Sequence, residues 1–206
     1  MSKLALGLAG AGGITGAGGF AAYQAGLFSS NQELLTVRET LSKEGYVLVS
    51  EDEKFQEFFK EFKGDAGFIG ELNKYSTGGE DLSKDTNGGK GKVALKNMCS
   101  SYLNTKDKLD KAIKWCVLRI QDKKLEGKAW RTIAAEDTDQ GDWKQAFDGI
   151  KTKAIKYGVT GINESTESTN GYPILKKWCS DNKKLPISNK NKTTLDNAVD
   201  LCSKTE

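Results

Sequence analysis

Apolar residues recur at helical spacing along most of the chain beyond residue 50. Phe55, Phe58, Phe59 and Phe62 fall at i, i+3, i+4 and i+7, the spacing that places them on one face of a helix. Leu95, Met98, Cys99 and Tyr102 repeat it, as do Leu109, Ala112, Ile113 and Cys116, and again Leu195, Ala198, Val199 and Cys202. The pattern predicts a mainly α fold in which these stripes are core. Ser50-Glu51-Asp52-Glu53 reads as a capping box at the start of the phenylalanine helix, with Ser50 accepting from the backbone N–H three residues on and Glu53 reaching back. Tyr46 to Val49, just before it, reads as a short strand or an extended lead-in. Residues 76–91, "STGGEDLSKDTNGGKG", and 158–171, "GVTGINESTESTNG", are rich in Gly, Ser, Thr and Asn and read as mobile loops.

The same residues carry an internal repeat. "LKNMCS" from Leu95 returns as "LKKWCS" from Leu175, and "LDKAIKWC" (Leu109 to Cys116) returns as "LDNAVDLC" (Leu195 to Cys202), at offsets of 80 and 86 residues. Both motifs recur in the same order with six residues inserted between them. Upstream, "GYVLVSEDEKFQEFFKEF" (Gly45 to Phe62) is echoed by "AWRTIAAEDTDQGDWKQAF" (Ala129 to Phe147), and Lys74-Tyr75 by Lys156-Tyr157. We read two tandem helical repeat modules of about 80 residues, each with room for a short strand, with 31–122 as linker and first module and 123–206 as the second. Two copies indicate duplication without making a solenoid.

Residues 1–30 have a different character. From Leu4 to Phe28 there are 25 residues without a charge, which as a helix would reach roughly 37 Å, enough for a hydrocarbon core of about 30 Å. Small residues spaced as Gly12/Gly16, Ala9/Gly13 and Ala17/Ala21 would let two such helices approach closely. Lys3 precedes the span and no base follows until Arg38, so the positive-inside rule predicts a cytoplasmic N-terminus and an extracellular C-terminal region. The stretch also fits a loose dinucleotide fingerprint, Gly10-Ala11-Gly12-Gly13-Ile14-Thr15-Gly16 with Glu33 downstream. Against that, Gly18, Gly19 and Gly26 disrupt the helix the motif requires, and the chain lacks the strands of a doubly wound sheet. Ala9-Gly10-Ala11 comes too early for a signal-peptidase site, and no cysteine nearby could accept a lipid. A membrane anchor or uncleaved signal is the reading carried forward, with a flexible Gly/Ala-rich tail as its alternative.

Each module holds one cysteine pair, Cys99 with Cys116 and Cys179 with Cys202. Four cysteines allow three connectivities, and duplication singles out the one each module can make alone. In an oxidising exterior such bonds would staple each helix pair; in a reducing compartment the four would be buried thiols. Because Cys99 lies nearer the intervening turn than Cys116, the bond demands an asymmetric loop.

Composition narrows the chemistry. With 31 basic against 28 acidic residues the net charge is +3, without the basic excess of a nucleic-acid binder. The chain has no histidine, which removes Ser-His-Asp and Cys-His nucleophile systems and the commonest metal ligand. No C-x-x-C motif is present, so neither a redox pair nor a zinc knuckle is indicated. Glu51-Asp52-Glu53 and Glu136-Asp137-Asp139 could hold a cation or act as an acid pair, but acids at helix N-termini are the commoner explanation. Asn163-Glu164-Ser165 and Asn191-Lys192-Thr193 match the glycosylation triplet. We expect no catalytic, cofactor or metal site.

The opening "MSKLALGLAGAGGITGAGGF", the repeated "GY.L…ED…F" element and the "L-K-x-x-C…L-D-x-A-x-x-x-C" element together resemble the large paralogous families of haemotropic mycoplasmas. The resemblance covers nearly the whole chain in pattern and composition, and brings no catalytic or binding residues with it. It implies a wall-less bacterium living on red blood cells and a family of surface antigens. The expectation is therefore a membrane-anchored surface protein engaged in host interaction or immune evasion, with host-cell or host immune proteins as partners. The alternative is an intracellular helical scaffold or adaptor with a disordered Gly-rich tail.

Overall fold

The computed structural model describes residues 35–134 and 138–206, which are mainly helical. Eight α-helices occur among the described residues: α1 (Val37–Lys43), α2 (Asp52–Phe62), α3 (Ala66–Leu72), α4 (Gly89–Leu103), α5 (Leu109–Cys116), α6 (Gln140–Lys156), α7 (Ser168–Lys183) and α8 (Lys192–Cys202). Two three-residue strands, β1 (Lys128–Trp130) and β2 (Ser203–Thr205), pair antiparallel with Ala129 opposite Lys204. No helix among these residues is long and apolar enough to cross a membrane. The span read at Leu4 to Phe28, with Gly12 and Gly16, lies outside the described residues.

The periodic stripes are core. Phe55, Phe58 and Phe59 of α2 are buried against Leu95 and Met98 of α4, together with Phe68 and Leu72 of α3 and Ala112 and Trp115 of α5. A second cluster gathers Trp143, Phe147 and Ala154 of α6 with Leu175 and Cys179 of α7 and Ala198 and Leu201 of α8. The helix α1 falls in what the sequence reads as linker, yet buries Val37 and Leu41 in the first cluster. Its start is fixed by a capping box: Thr36 Oγ1 accepts from the Glu39 N–H, and the Glu39 carboxylate accepts from the Thr36 N–H at 2.7 Å. Both clusters lie in one compact unit spanning Leu35–Glu206.

The capping box expected at Ser50 is absent. The N-cap of α2 is Glu51, extended and without a side-chain cap bond. The chain is held extended through Val49, whose N–H donates to the Cys116 carbonyl at 2.9 Å while Leu118 donates to Val47 at 2.7 Å. The helix accordingly begins beyond Ser50, and Asp52 is engaged instead by Lys92 and Lys96.

The two polar loops are more tightly tied than their composition suggests. In 76–91, Leu82 is buried and its N–H donates to the Asn73 side chain, while the Asp85 carboxylate accepts from Gly88 and Gly91 at 2.9 and 2.7 Å. In 158–171, Val159 and Ile162 are buried, and Asn163 accepts from the Ser165 N–H. Buried apolar residues thus anchor both segments, Leu82 near the middle of the first and Val159 and Ile162 near the start of the second.

Several arrangements occur twice. α2 packs on α4 with the Phe59 ring against Gly91, and α6 packs on α7 with the Phe147 ring against Gly171; a Cβ at either glycine would lie inside 3.0 Å of the ring. Val49 donates to the Cys116 carbonyl, and Arg131 donates to the Cys202 carbonyl at 2.8 Å. After these matching contacts the chains diverge. Beyond Leu118 the first half (35–122) crosses to the second (123–206), where Ile120 donates to Leu185 at 2.9 Å and Ile187 donates to Leu118 at 2.8 Å. Beyond Cys202 the chain instead continues along β1.

Candidate functional site

The candidate disulfide residues come together in the expected pairs. Cys99 of α4 is bonded to Cys116, the last residue of α5, and Cys179 of α7 to Cys202, the last residue of α8, with Cα atoms 5.6 Å apart in both. All four cysteines are consumed and all are buried. In each pair the first cysteine stands one helical turn before its helix ends, whereas the second closes its helix. The segments 104–108 and 184–191 absorb that difference in length.

Where the halves meet, three extended segments lie side by side. Leu48 bridges Val117, and Arg119 bridges Pro186, antiparallel in both cases. Their outer surface floors a cavity of about 390 Å³, with Val47, Leu118, Ile187 and Leu195 as apolar lining and Glu51, Lys54, Asp122 and Lys124 among its charged rim. Val47 is 42% exposed. Two ion pairs lie on the rim: Lys124 lies 3.2 Å from Glu51, and Lys54 lies 3.6 Å from Asp122 while also bonding Glu57. Burial opposes the charge on Lys54, but Glu57 and Asp122 outweigh it and raise its pKa. An apolar floor with ion pairs on its rim suits binding of a partly apolar surface.

Beneath this groove Arg119 closes the first half. Its guanidinium stands 4.5 Å over the Phe58 ring and 5.7 Å from Phe62. It is matched by the Glu61 carboxylate, with one bond at 2.8 Å, and by Asp122 at 3.0 Å. Burial disfavours its charge, yet the two carboxylates raise its pKa further. Sequence reasoning missed this clamp. The Arg-x-x-Asp spacing of Arg119 and Asp122 was its only local trace, and Glu61 is remote in sequence.

Of the acidic residues singled out by sequence, Glu51, Asp52 and Asp139 form ion pairs. Asp52 lies 3.3 Å from Lys92 and 3.1 Å from Lys96. Asp139 lies 2.6 Å from Lys176 and accepts from the Trp143 indole at 3.0 Å. Glu136 and Asp137 lie outside the described residues. Among the described residues, no group of three potential metal ligands occurs. The Asn191 amide of the second glycosylation triplet donates to the Pro186 carbonyl at 2.8 Å, while Lys192 and Thr193 are exposed.

No protein-family model matches the chain, and neither a curated protein nor a solved structure matches it.

Proposed function

We propose that the chain is a membrane-anchored surface protein built of two duplicated helical modules, 31–122 and 123–206, which acts by binding host-cell or host immune proteins. Residues 4–28 would hold it in the cell membrane, with a cytoplasmic N-terminus and the helical region outside. The observation that carries this reading is the pair of matched disulfides that consumes every cysteine. Such bonds persist in oxidising exteriors and are reduced in a cytosol. The duplication is supported by the three arrangements that recur in both halves: cysteine pair, phenylalanine ring on glycine, and the ladder bond to the second cysteine's carbonyl.

The test is twofold. Denatured protein taken from cells under acid quench should give no thiol labelling before reduction and four labelled thiols after it. Protease treatment of intact cells should remove a C-terminal tag that otherwise yields only in lysate. Four labelled thiols without reduction, with a protected tag, would replace this reading by the intracellular scaffold or adaptor.

A further inference from the structure

The repeated packing of phenylalanine on glycine aligns α2 with α6 residue by residue. Phe59 and Phe147 hold the same place, so Phe58 corresponds to Ala146, Glu61 to Gly149 and Phe62 to Ile150. In the first half this face carries Arg119 and its carboxylates. In the second half the same face is open: Ala146, Gly149 and Ile150 line a cavity of about 380 Å³, bordered by Arg131, Asp142, Gln145 and Lys204.

Arg131 enters this cavity from the end of β1. Its Nε is buried without a hydrogen-bond partner, a costly state for a group with five donors. Among the described residues it forms no ion pair within 4 Å. Burial lowers its pKa, and Asp142 offsets only part of that effect. Asp142 instead lies 3.8 Å from Lys204. Two cations, Arg131 and Lys204, therefore share one carboxylate, Asp142. At the position where the first half supplies Glu61, the second has Gly149, with open space where a side chain would stand.

We propose that this cavity is a carboxylate-binding site, in which a carboxylate from outside the chain occupies the place equivalent to that of the Glu61 head group and accepts from the Arg131 guanidinium. Lys204 and the Gln145 amide stand at the rim as further donors. Ala146 and Ile150 offer an apolar floor to a short methylene stem, which fits the side chain of a glutamate. A flat guanidinium matches a planar carboxylate with two parallel bonds. The Asp142 charge disfavours a dianion such as phosphate. The site is independent of the compartment in which the protein resides, so its test does not depend on the thiol and protease experiments.

The experiment is an NMR titration of the full chain, following the Arg131 guanidinium N–H signal. The probe is the monoanion Nα-acetyl-glutamate methylamide over the millimolar range, with inorganic phosphate in parallel. A saturable downfield shift of that signal is expected with the glutamate probe, and a weaker response with phosphate. R131Q should weaken binding, read from the Gln145 amide, by about tenfold or more, the effect of losing a hydrogen bond to a charged group. G149E plants the missing carboxylate in an open helical position. It should shift the Arg131 signal without ligand and abolish the response to the probe while the protein stays folded. No saturable shift in the parent protein, tighter binding of phosphate, or binding that survives both substitutions would overturn the proposal.

Discussion

In the first half, Arg119 is sandwiched between aromatic rings and two carboxylates; in the second, Arg131 borders an open cavity floored by Ala146 and Gly149. Both guanidiniums lean on the same face of corresponding helices. The parts that define the backbone are common to both halves: a disulfide, a ring against a glycine, and a ladder bond to a cysteine carbonyl. What differs is the side chains laid on that framework. Phe58, Phe62 and Phe68 form a linked aromatic group with Trp115, with Phe62 and Phe68 centroids 5.7 Å apart and Phe68 and Trp115 5.4 Å apart. The second half has smaller residues at the corresponding helical positions. A shared skeleton thus tolerates one filled face and one vacant face, because helix spacing is set elsewhere, at the glycine contacts and the disulfides.

The largest effect should come from the bonds both halves share. The two disulfides close loops with separations of 17 and 23 residues, for which the chain-entropy model gives about 3 kcal/mol each. Removing either pair by double Cys→Ala substitution should lower stability in urea by comparable amounts. A much smaller loss in one half would break the equivalence. Next come Gly91→Ala and Gly171→Ala, each of which forces a methyl group into a buried ring. Overpacking of this kind costs about 1–3 kcal/mol, against which the gain in helix propensity of roughly 1 kcal/mol is a partial offset. Both variants should melt lower than the parent, and crystal structures should find Phe59 and Phe147 displaced.

The two arginines should respond in opposite ways. Arg119→Met removes a cation held by two rings and two carboxylates, and leaves Glu61 and partly buried Asp122 without it. A loss of about 2 kcal/mol is expected. Arg131→Met removes a buried, unpaired donor and should change stability by less than about 0.5 kcal/mol, or raise it. Denaturant midpoints of the two variants check this directly. Equal losses would mean that Arg131 has a structural partner equivalent to Glu61.

Much of the framework was legible because it is written locally. The helical periods of α2, α4, α5 and α8 and the paired "L-K-x-x-C" and "L-D-x-A-x-x-x-C" motifs lie within single helices, where spacing alone determines the face. The disulfide pairs followed from the recurrence of those two cysteine motifs, for the same reason. What escaped notice depends on residues far apart. Gly91 and Gly171 read as the last residues of polar loops, yet they lie in helices, where each admits a phenylalanine ring from another helix. The crossing of Leu118 to Ile120 onto Leu185 to Ile187 is too short to show strand alternation. The contrast between Arg119 and Arg131 is equally hidden, since it turns on whether position 61 or 149 carries a carboxylate.

Acid should probe ion pairs that differ between the halves, and Glu71 gives the smallest effect with a definite sign. Glu71 of α3 lies 2.7 Å from Lys111 of α5 and 3.3 Å from Lys74. The bond from Lys111 is the main cause that lowers its pKa from 4.5 to about 2. Its folded pKa lies below the unfolded one, so the stability it contributes is fully present above about pH 4.5 and is lost as the pH falls toward 2. Both lysines are substantially exposed, and solvent screening reduces the contribution to roughly 1 kcal/mol. In the second half Asp139 behaves in the same direction: burial resists its charge, but Lys176, the Ala134 N–H and Trp143 outweigh it and lower the pKa. Glu71→Gln should therefore be less stable than the parent at pH 7 and converge with it at pH 2, in urea midpoints taken across that range. Asp139→Asn should cost more at neutral pH, because Asp139 and Lys176 are only 10% and 13% exposed and the lysine would lose a desolvated counter-charge. If the two variants gave equal losses, the ion pair buried in the second half would be no stronger than the one at the surface of the first, and the vacant face would then be the main electrostatic difference between them.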